Sequence, residues 1–166
     1  MWRYIVLLAF TAASMVNIVR CDPSEGYTLL SGIGYYKFNC RRSTWHEASE
    51  TCTEEGAHLA IVDSQDEMDA LMREWSVYPW QRNPWVGVYR TSNMSDWITV
   101  QGNSLGNYTG WGEGYPKNEG NCVFLHAMQA AIFNVDCTLR GQFLCEYDLE
   151  DVSIELEQEL RQQPLL

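Results

Sequence analysis

Six cysteines, at positions 21, 40, 52, 122, 137 and 145, set the terms on which this chain folds. The last three fall within residues 108–145, where a Gly- and Asn-rich loop holds Pro116 between Tyr115 and Lys117. The loop carries few apolar side chains, so burial cannot hold its shape. Cross-links, a bound ion or both must do so, and a loop held that way commonly serves for binding.

Whether the cysteines pair depends on the compartment. Residues 1–20 place Arg3 ahead of an apolar run from Ile5 to Val19, with Ala12-Ala13-Ser14 at positions a signal peptidase reads. Thr11, Ser14 and Asn17 interrupt the run, which falls short of the roughly 20 residues a membrane span needs. A cleaved secretory signal is the reading, cut at Ala13, at Ser14 or nearer Cys21. In an oxidising compartment an even set of six cysteines predicts three bridges, and spacing alone does not choose among the fifteen pairings. No C-x-x-C pair is present, which argues against a zinc knuckle or a thioredoxin-like site. The sequons at Asn93 and Asn107 predict glycans on exposed loops.

The 166 residues, 46% apolar and 13% aromatic, suffice for one globular domain with terminal extras. The expected division is a signal over 1–20, a domain over 21–147 and an acidic tail over 148–166. A net charge of −11 disfavours nucleic acid and anionic membrane as partners, since both need a basic face. An acidic glycolipid could bind only through a local patch. The doublet Arg41-Arg42 reads as a solvated surface pair.

Residues 27–39 predict two strands around a Gly32-Ile33-Gly34 turn. Thr44-Trp45-His46-Glu47 is a capping box opening a helix. Its inward face carries Trp45, Ala48 and Cys52, and Gly56 ends it. Residues 58–62 predict a short buried strand. Ser64-Gln65-Asp66-Glu67 is a second capping box, with Met68, Leu71, Met72 and Trp75 as the apolar stripe of the helix behind it. Strands are then expected over 85–88, 96–100, 122–125 and 142–147, with a short piece over 133–137. Helices segregated from strands make this an α+β domain. In the tail, Val152, Leu156 and Leu160 stand at helical spacing and read as a frayed helix or a disordered segment, an oligomerisation helix being the alternative.

These pieces in this order resemble the C-type lectin domain, in particular the secreted insect haemolymph lectins. The resemblance rests on Gly34-Tyr35-Tyr36-Lys37-Phe38, on Thr44-Trp45-His46-Glu47-Ala48 through Cys52, and on Gly56-Ala57-His58-Leu59-Ala60. Trp85-Val86-Gly87-Val88, Trp97-Ile98-Thr99-Val100 through Trp111, and Cys122, Cys137 and Cys145 complete it. It implies two helices packed on small antiparallel sheets, a long binding loop, and the bridges Cys52–Cys145 and Cys122–Cys137. Cys21 and Cys40 are left for each other, tying the N-terminal arm to the first hairpin. A signal cut after Cys21 would instead leave Cys40 free or intermolecular.

The resemblance also implies a calcium ion holding two sugar hydroxyls. Its ligands come from a Glu-Pro-Asn or Gln-Pro-Asp triplet with the proline in cis, an acid before the third core cysteine, and an Asn-Asp pair before the fourth. Here the triplet reads Tyr115-Pro116-Lys117, Gly120 stands where the acid is expected, and of the pair Asn134 remains. A Lys ammonium beside calcium is repelled by several kcal/mol even at an effective dielectric of about 20. The ordinary site is therefore expected to be absent. Glu113, Asn118, Glu119, Asn121, Asn134 and Asp136 still place oxygens around the loop for a cation in a shifted register. The expected ligand-binding residues are Tyr115, Pro116, Lys117, Asn118, Glu119 and Asn134. Lys117 would meet a phosphate or carboxylate on a microbial glycolipid. Trp111, by the resemblance, belongs to the core.

The expected function is recognition of microbial surface glycans by a secreted, non-catalytic lectin. A lectin-like module with a decayed sugar site, binding a protein, is the alternative. An enzyme is disfavoured: there is no complete H-E-x-x-H, and His46, His58 and His126 lie in separate elements.

Overall fold

The computed structural model describes residues 26–30, 32–75, 83–91 and 96–149. The expected signal, Cys21, the sequon at Asn93 and residues 150–166 of the tail lie outside them. No helix among the described residues is long and apolar enough to cross a membrane.

Strands β1 (Thr28–Leu30) and β2 (Gly34–Ser43) form the first hairpin, closed by Gly32 at φ 83° and by the Ile33 N–H on the Leu30 carbonyl at 3.0 Å. Helix α1 (Trp45–Glu54) opens on the predicted capping box. Thr44 Oγ1 accepts the Glu47 N–H at 3.4 Å, and Glu47 Oε2 accepts the Thr44 N–H at 2.9 Å. Trp45, Ala48 and Cys52 are its buried face. Strand β3 is only His58–Leu59 rather than 58–62. Residues 60–62 remain buried, but Ala60 leaves the ladder: its N–H reaches Leu144 and its carbonyl accepts the Gly87 N–H at 2.7 Å.

Helix α2 (Gln65–Trp75) starts on Ser64, whose Oγ accepts the Glu67 N–H at 3.2 Å. The reciprocal bond differs from the predicted box. Glu67 Oε2 takes the Asp63 N–H at 3.3 Å because its other oxygen is drawn inward, 2.9 Å from the Tyr36 hydroxyl. That hydroxyl also lies 2.7 Å from Glu146 Oε1, and all three residues are buried. One phenolic proton cannot serve two carboxylates. Burial, then the charge of Glu146, pushes the Glu67 carboxyl up to about 8. A protonated Glu67 donates to the phenol oxygen, and the phenol donates to Glu146, whose Oε2 accepts the Ile61 N–H at 2.9 Å. This chain ties α2 to β2 and to the last strand, β8 (Gly141–Tyr147).

The remaining strands are β4 (Trp85–Tyr89), β5 (Ile98–Thr99), β6 (Cys122–His126), β7 (Ala131–Val135) and β8 (Gly141–Tyr147). The sheet order is β1-β2-β8-β4-β6-β7, with β3 on β8 and β5 on β4. All pairs run antiparallel except β4 with β8, which meet in parallel at Trp85 and Phe143. Strand β5 is shorter than the predicted 96–100, since it pairs only with Val88 and Tyr89. The predicted piece at 133–137 lies at 131–135 and is a full hairpin partner of β6, because Asp136 and Cys137 leave the ladder to make a turn. Gly87 is required where β4 crosses β3: a Cβ there would overlap the Leu59 carbonyl.

The core has two parts. Met68, Leu71, Val86, Val88, Leu125, Ile132 and Leu144 pack under α2, while Trp45, Leu59, Trp85 and Phe143 pack under α1 with both expected bridges beside them. The buried indoles are satisfied: Trp45 Nε1 donates to the Val86 carbonyl at 2.8 Å and Trp85 Nε1 to the Ser43 carbonyl at 2.9 Å. Cys52–Cys145 joins α1 to β8, and Cys122–Cys137 joins β6 to the turn after β7. Cys40 is also disulfide-bonded, and its expected partner lies outside the described residues.

Candidate functional site

The long loop is pinned before it reaches its tip. Gly112 donates to the Ile132 carbonyl at 3.0 Å, and Ile132 donates to the Gly110 carbonyl at 2.8 Å, so the loop docks on β7. Trp111 is partly buried against the core, its ring 4.9 Å from that of Trp97. At the tip the Tyr115–Pro116 peptide is cis. The Tyr115 ring meets Phe133 edge-on at 4.5 Å, and the Lys117 ammonium lies 4.5 Å from the centre of the Tyr115 ring.

Asn134 of β7, 2% exposed, holds the next stretch. Its Oδ1 accepts the Lys117 N–H at 2.7 Å. Its Nδ2 faces the carbonyls of Lys117, Glu119 and Gly120 at 2.9, 2.7 and 2.9 Å. A second brace comes from Arg90, just past β4. Its Nη2 donates to the carbonyls of Lys117 and Asn118 at 3.1 and 2.7 Å, and its Nε to Asn121 Oδ1 at 3.2 Å. The Arg90 guanidinium also lies 4.8 Å from the centre of the Trp97 ring. The carbonyls of residues 117–120 therefore all face donors belonging to the protein itself.

The braced loop borders an open cleft of about 590 Å³ lined by Lys117, Glu119, Asn121, Asn134 and Asp136, with Cys137 at one end. Of the expected site residues, this gathers five. Tyr115, Pro116, Asn118 and Glu113 do not line it; Pro116, Asn118 and Glu113 are exposed on the loop surface. Asp136 Oδ1 accepts both the N–H and the hydroxyl of Thr138 at 2.8 Å, bonds that hold its carboxyl below the usual range. Gly120, at φ 84°, packs so tightly that a Cβ would overlap the backbone of Val135. No acid can stand there.

A family model for the lectin C-type domain matches residues 41–147. The chain belongs to the C-type lectin domain family. The domain is 30% identical over 136 residues to the hemolymph lipopolysaccharide-binding protein of Periplaneta americana, an alignment covering 75% of this chain and 53% of that protein. The chain thus spans about half the length of the cockroach protein. It is 29% identical to one of the subunits of the snaclec coagulation factor IX/factor X-binding protein of Echis carinatus, covering 75% of this chain and 97% of that one. Among solved structures it is similar to human lithostathine, with a TM-score of 0.66 at 25% identity over 75% of this chain and 98% of that one. The family's domains are binding modules rather than catalysts.

The ordinary calcium site of this lectin domain does not fit the residues present. The one retained ligand position, Asn134, is buried with its oxygen on the Lys117 N–H and its nitrogen turned to the loop carbonyls, so its amide is committed to the loop. Asn121 has its side-chain oxygen on Arg90. Among the described residues no group of three or more His, Cys, Asp or Glu side chains converges. Of the expected metal set, Glu119, Asn121, Asn134 and Asp136 border the cleft, with Asn121, Asn134 and Asp136 engaged by hydrogen bonds, while Glu113 and Asn118 lie exposed on the loop. Hydrogen bonds hold this loop in the way an ion would. Sequence reasoning missed Arg90, which is separated from its partners by 27 to 31 positions and belongs to no motif.

Proposed function

We propose that this domain is a secreted recognition lectin that binds microbial surface glycans in the cleft between Lys117 and Asp136 without needing calcium. Residues 1–20 would be its cleaved signal, 21–147 the lectin domain and 148–166 an acidic tail. Asp148 is held to the domain by Gln101 Nε2 at 2.7 Å.

The observation that carries the reading is the fourfold engagement of Asn134, which rigidifies the loop and leaves Lys117, Glu119 and Asp136 facing the cleft. Glu119 and Asp136 supply acceptors for sugar hydroxyls, and Lys117 a cation for phosphate or carboxylate. The relation to a hemolymph lipopolysaccharide-binding protein supports a ligand of this kind. A glycan on the exposed Asn107 would stand on the same long loop.

Retention of the secreted protein on mannan, lipopolysaccharide and peptidoglycan, in calcium and in chelator, tests this. The expected result is retention on at least one of them, unchanged by chelator and weakened by Lys117→Ala. Failure on all three overturns it. A second reading, a protein-binding module, is favoured by the alignment that takes in 97% of a snaclec subunit. It predicts a stable protein partner, with no glycan retained.

A further inference from the structure

A second cleft, of about 550 Å³, shares no residue with the first. It lies between the end of β2, the start of β4 and the turn into β8, and is bordered by Arg42, Arg140, Leu139, Phe124, Trp85 and Asn83. Its rim is a preassembled pair of cations. Arg42 Nε and Nη2 donate to the Arg140 carbonyl at 3.1 and 2.9 Å, and Arg140 Nη2 returns a bond to the Arg42 carbonyl at 2.9 Å. Glu47 Oε2 lies 3.3 Å from Arg140 Nη1, but it also serves the Thr44 N–H, and Arg41 adds a third positive charge nearby. Each guanidinium has five N–H donors, so both keep unspent ones. On a chain of net charge −11, Arg41 and Arg140 acting on one carboxylate, with Arg42 bonded to the Arg140 backbone, form a local basic patch.

Apart from Asn83, the rest of the cleft is apolar. Leu139 is 52% exposed beside the half-buried Phe124. Trp85 closes the floor with its N–H already spent on Ser43, so it offers ring carbon only. Donors above a largely apolar floor suit an anionic head on an apolar body better than a neutral sugar, which needs acceptors as well, or a long polyanion, which needs a wider footprint.

We propose that this cleft binds a small anionic amphiphile. A phosphomonoester or carboxylate head would sit on Arg42 and Arg140, and an acyl chain would lie over Leu139 and Phe124. Held side by side before the ligand arrives, the guanidiniums lose little freedom on binding.

Calorimetry on the full secreted chain tests it, with dodecyl phosphate below its micelle concentration as probe. Dodecyl maltoside, of equal chain and neutral head, and inorganic phosphate are the controls. Dodecyl phosphate is expected to bind about tenfold or more tighter than either control. The double variant Arg42→Gln/Arg140→Gln and, separately, Leu139→Asp are each expected to weaken it about tenfold or more. All three side chains are exposed, so melting should change little and retention on glycans should not change, which separates this proposal from the loop reading. Co-sedimentation with phosphatidylcholine vesicles containing phosphatidic acid, lost in the double variant, would place the head group in a bilayer. Free binding without co-sedimentation would place it on a monomeric ligand. Equal affinity for the neutral detergent, unchanged affinity in the double variant, or no binding of dodecyl phosphate overturns the proposal.

Discussion

The side-chain amide of Asn134 pairs with both backbone groups of Lys117, accepting its N–H at 2.7 Å and donating to its carbonyl at 2.9 Å. A residue that the family pattern offers as a metal ligand is here the internal support of the loop. Neither calcium nor chelator should therefore move the melting midpoint, and a calcium titration should give no heat at millimolar concentration.

Removing the Asn134 amide should be costly. Asn134→Ala leaves buried loop groups unpaired and is expected to destabilise the domain by about 3 kcal/mol. Asn134→Asp, of nearly equal volume, should cost at least as much, because it turns an oxygen toward carbonyls that now meet a donor. Urea denaturation of both variants checks this. A near-normal midpoint for the aspartate variant would refute the brace.

Arg90 should prove a matter of geometry as well as charge. A lysine ammonium cannot span the two carbonyls and the Asn121 oxygen that the guanidinium reaches. Arg90→Lys is expected to cost about 1–2 kcal/mol and to speed amide exchange across residues 117–121 while leaving β2 and β8 protected. Gly120→Glu, which restores an acid to the family's position, should misfold the loop rather than create a calcium site.

The buried Glu67 predicts an unusual pH dependence. Its carboxyl is raised from the ordinary 4.5 to about 8, so between those values the folded state keeps a proton that the unfolded chain releases. Its contribution is full below 4.5 and is lost as pH rises to about 8, with a slope of at most about 1.4 kcal/mol per pH unit. Glu146, raised in the same direction, and the Tyr36 hydroxyl share this network. Glu67→Gln keeps the shape and a donor for the phenol, and should flatten the profile. Denaturation midpoints from pH 4 to 9, for wild type and variant, measure it.

The two core bridges should differ in weight. Cys52–Cys145 closes a separation of 93 residues and Cys122–Cys137 one of 15. Loop-closure entropy assigns them about 4.7 and 3 kcal/mol. Paired serine variants should follow that order, and loss of the shorter bridge should disturb the Lys117–Asp136 cleft, since Cys137 lines its end.

The sequence by itself determined the framework. Capping at Thr44, the inward stripe at Trp45, Ala48 and Cys52, the buried strand at Trp85 and the cysteine frame are local or family-spaced signals, and local backbone donors and apolar periodicity act over a few residues. It also showed that the calcium triplet was altered. How the loop is braced was decided only in three dimensions. Arg90, Asn134 and the loop carbonyls are brought together by the β4–β6–β7 pairing, and hydrogen bonds between distant segments leave no periodic trace. Gly120 read as a missing acid; the packing against Val135 shows a position where only a glycine fits. The Arg42–Arg140 cleft arises the same way, from the pairing of Ser43 with Gly141 at the end of the β2–β8 ladder, which sets residues 98 apart against each other.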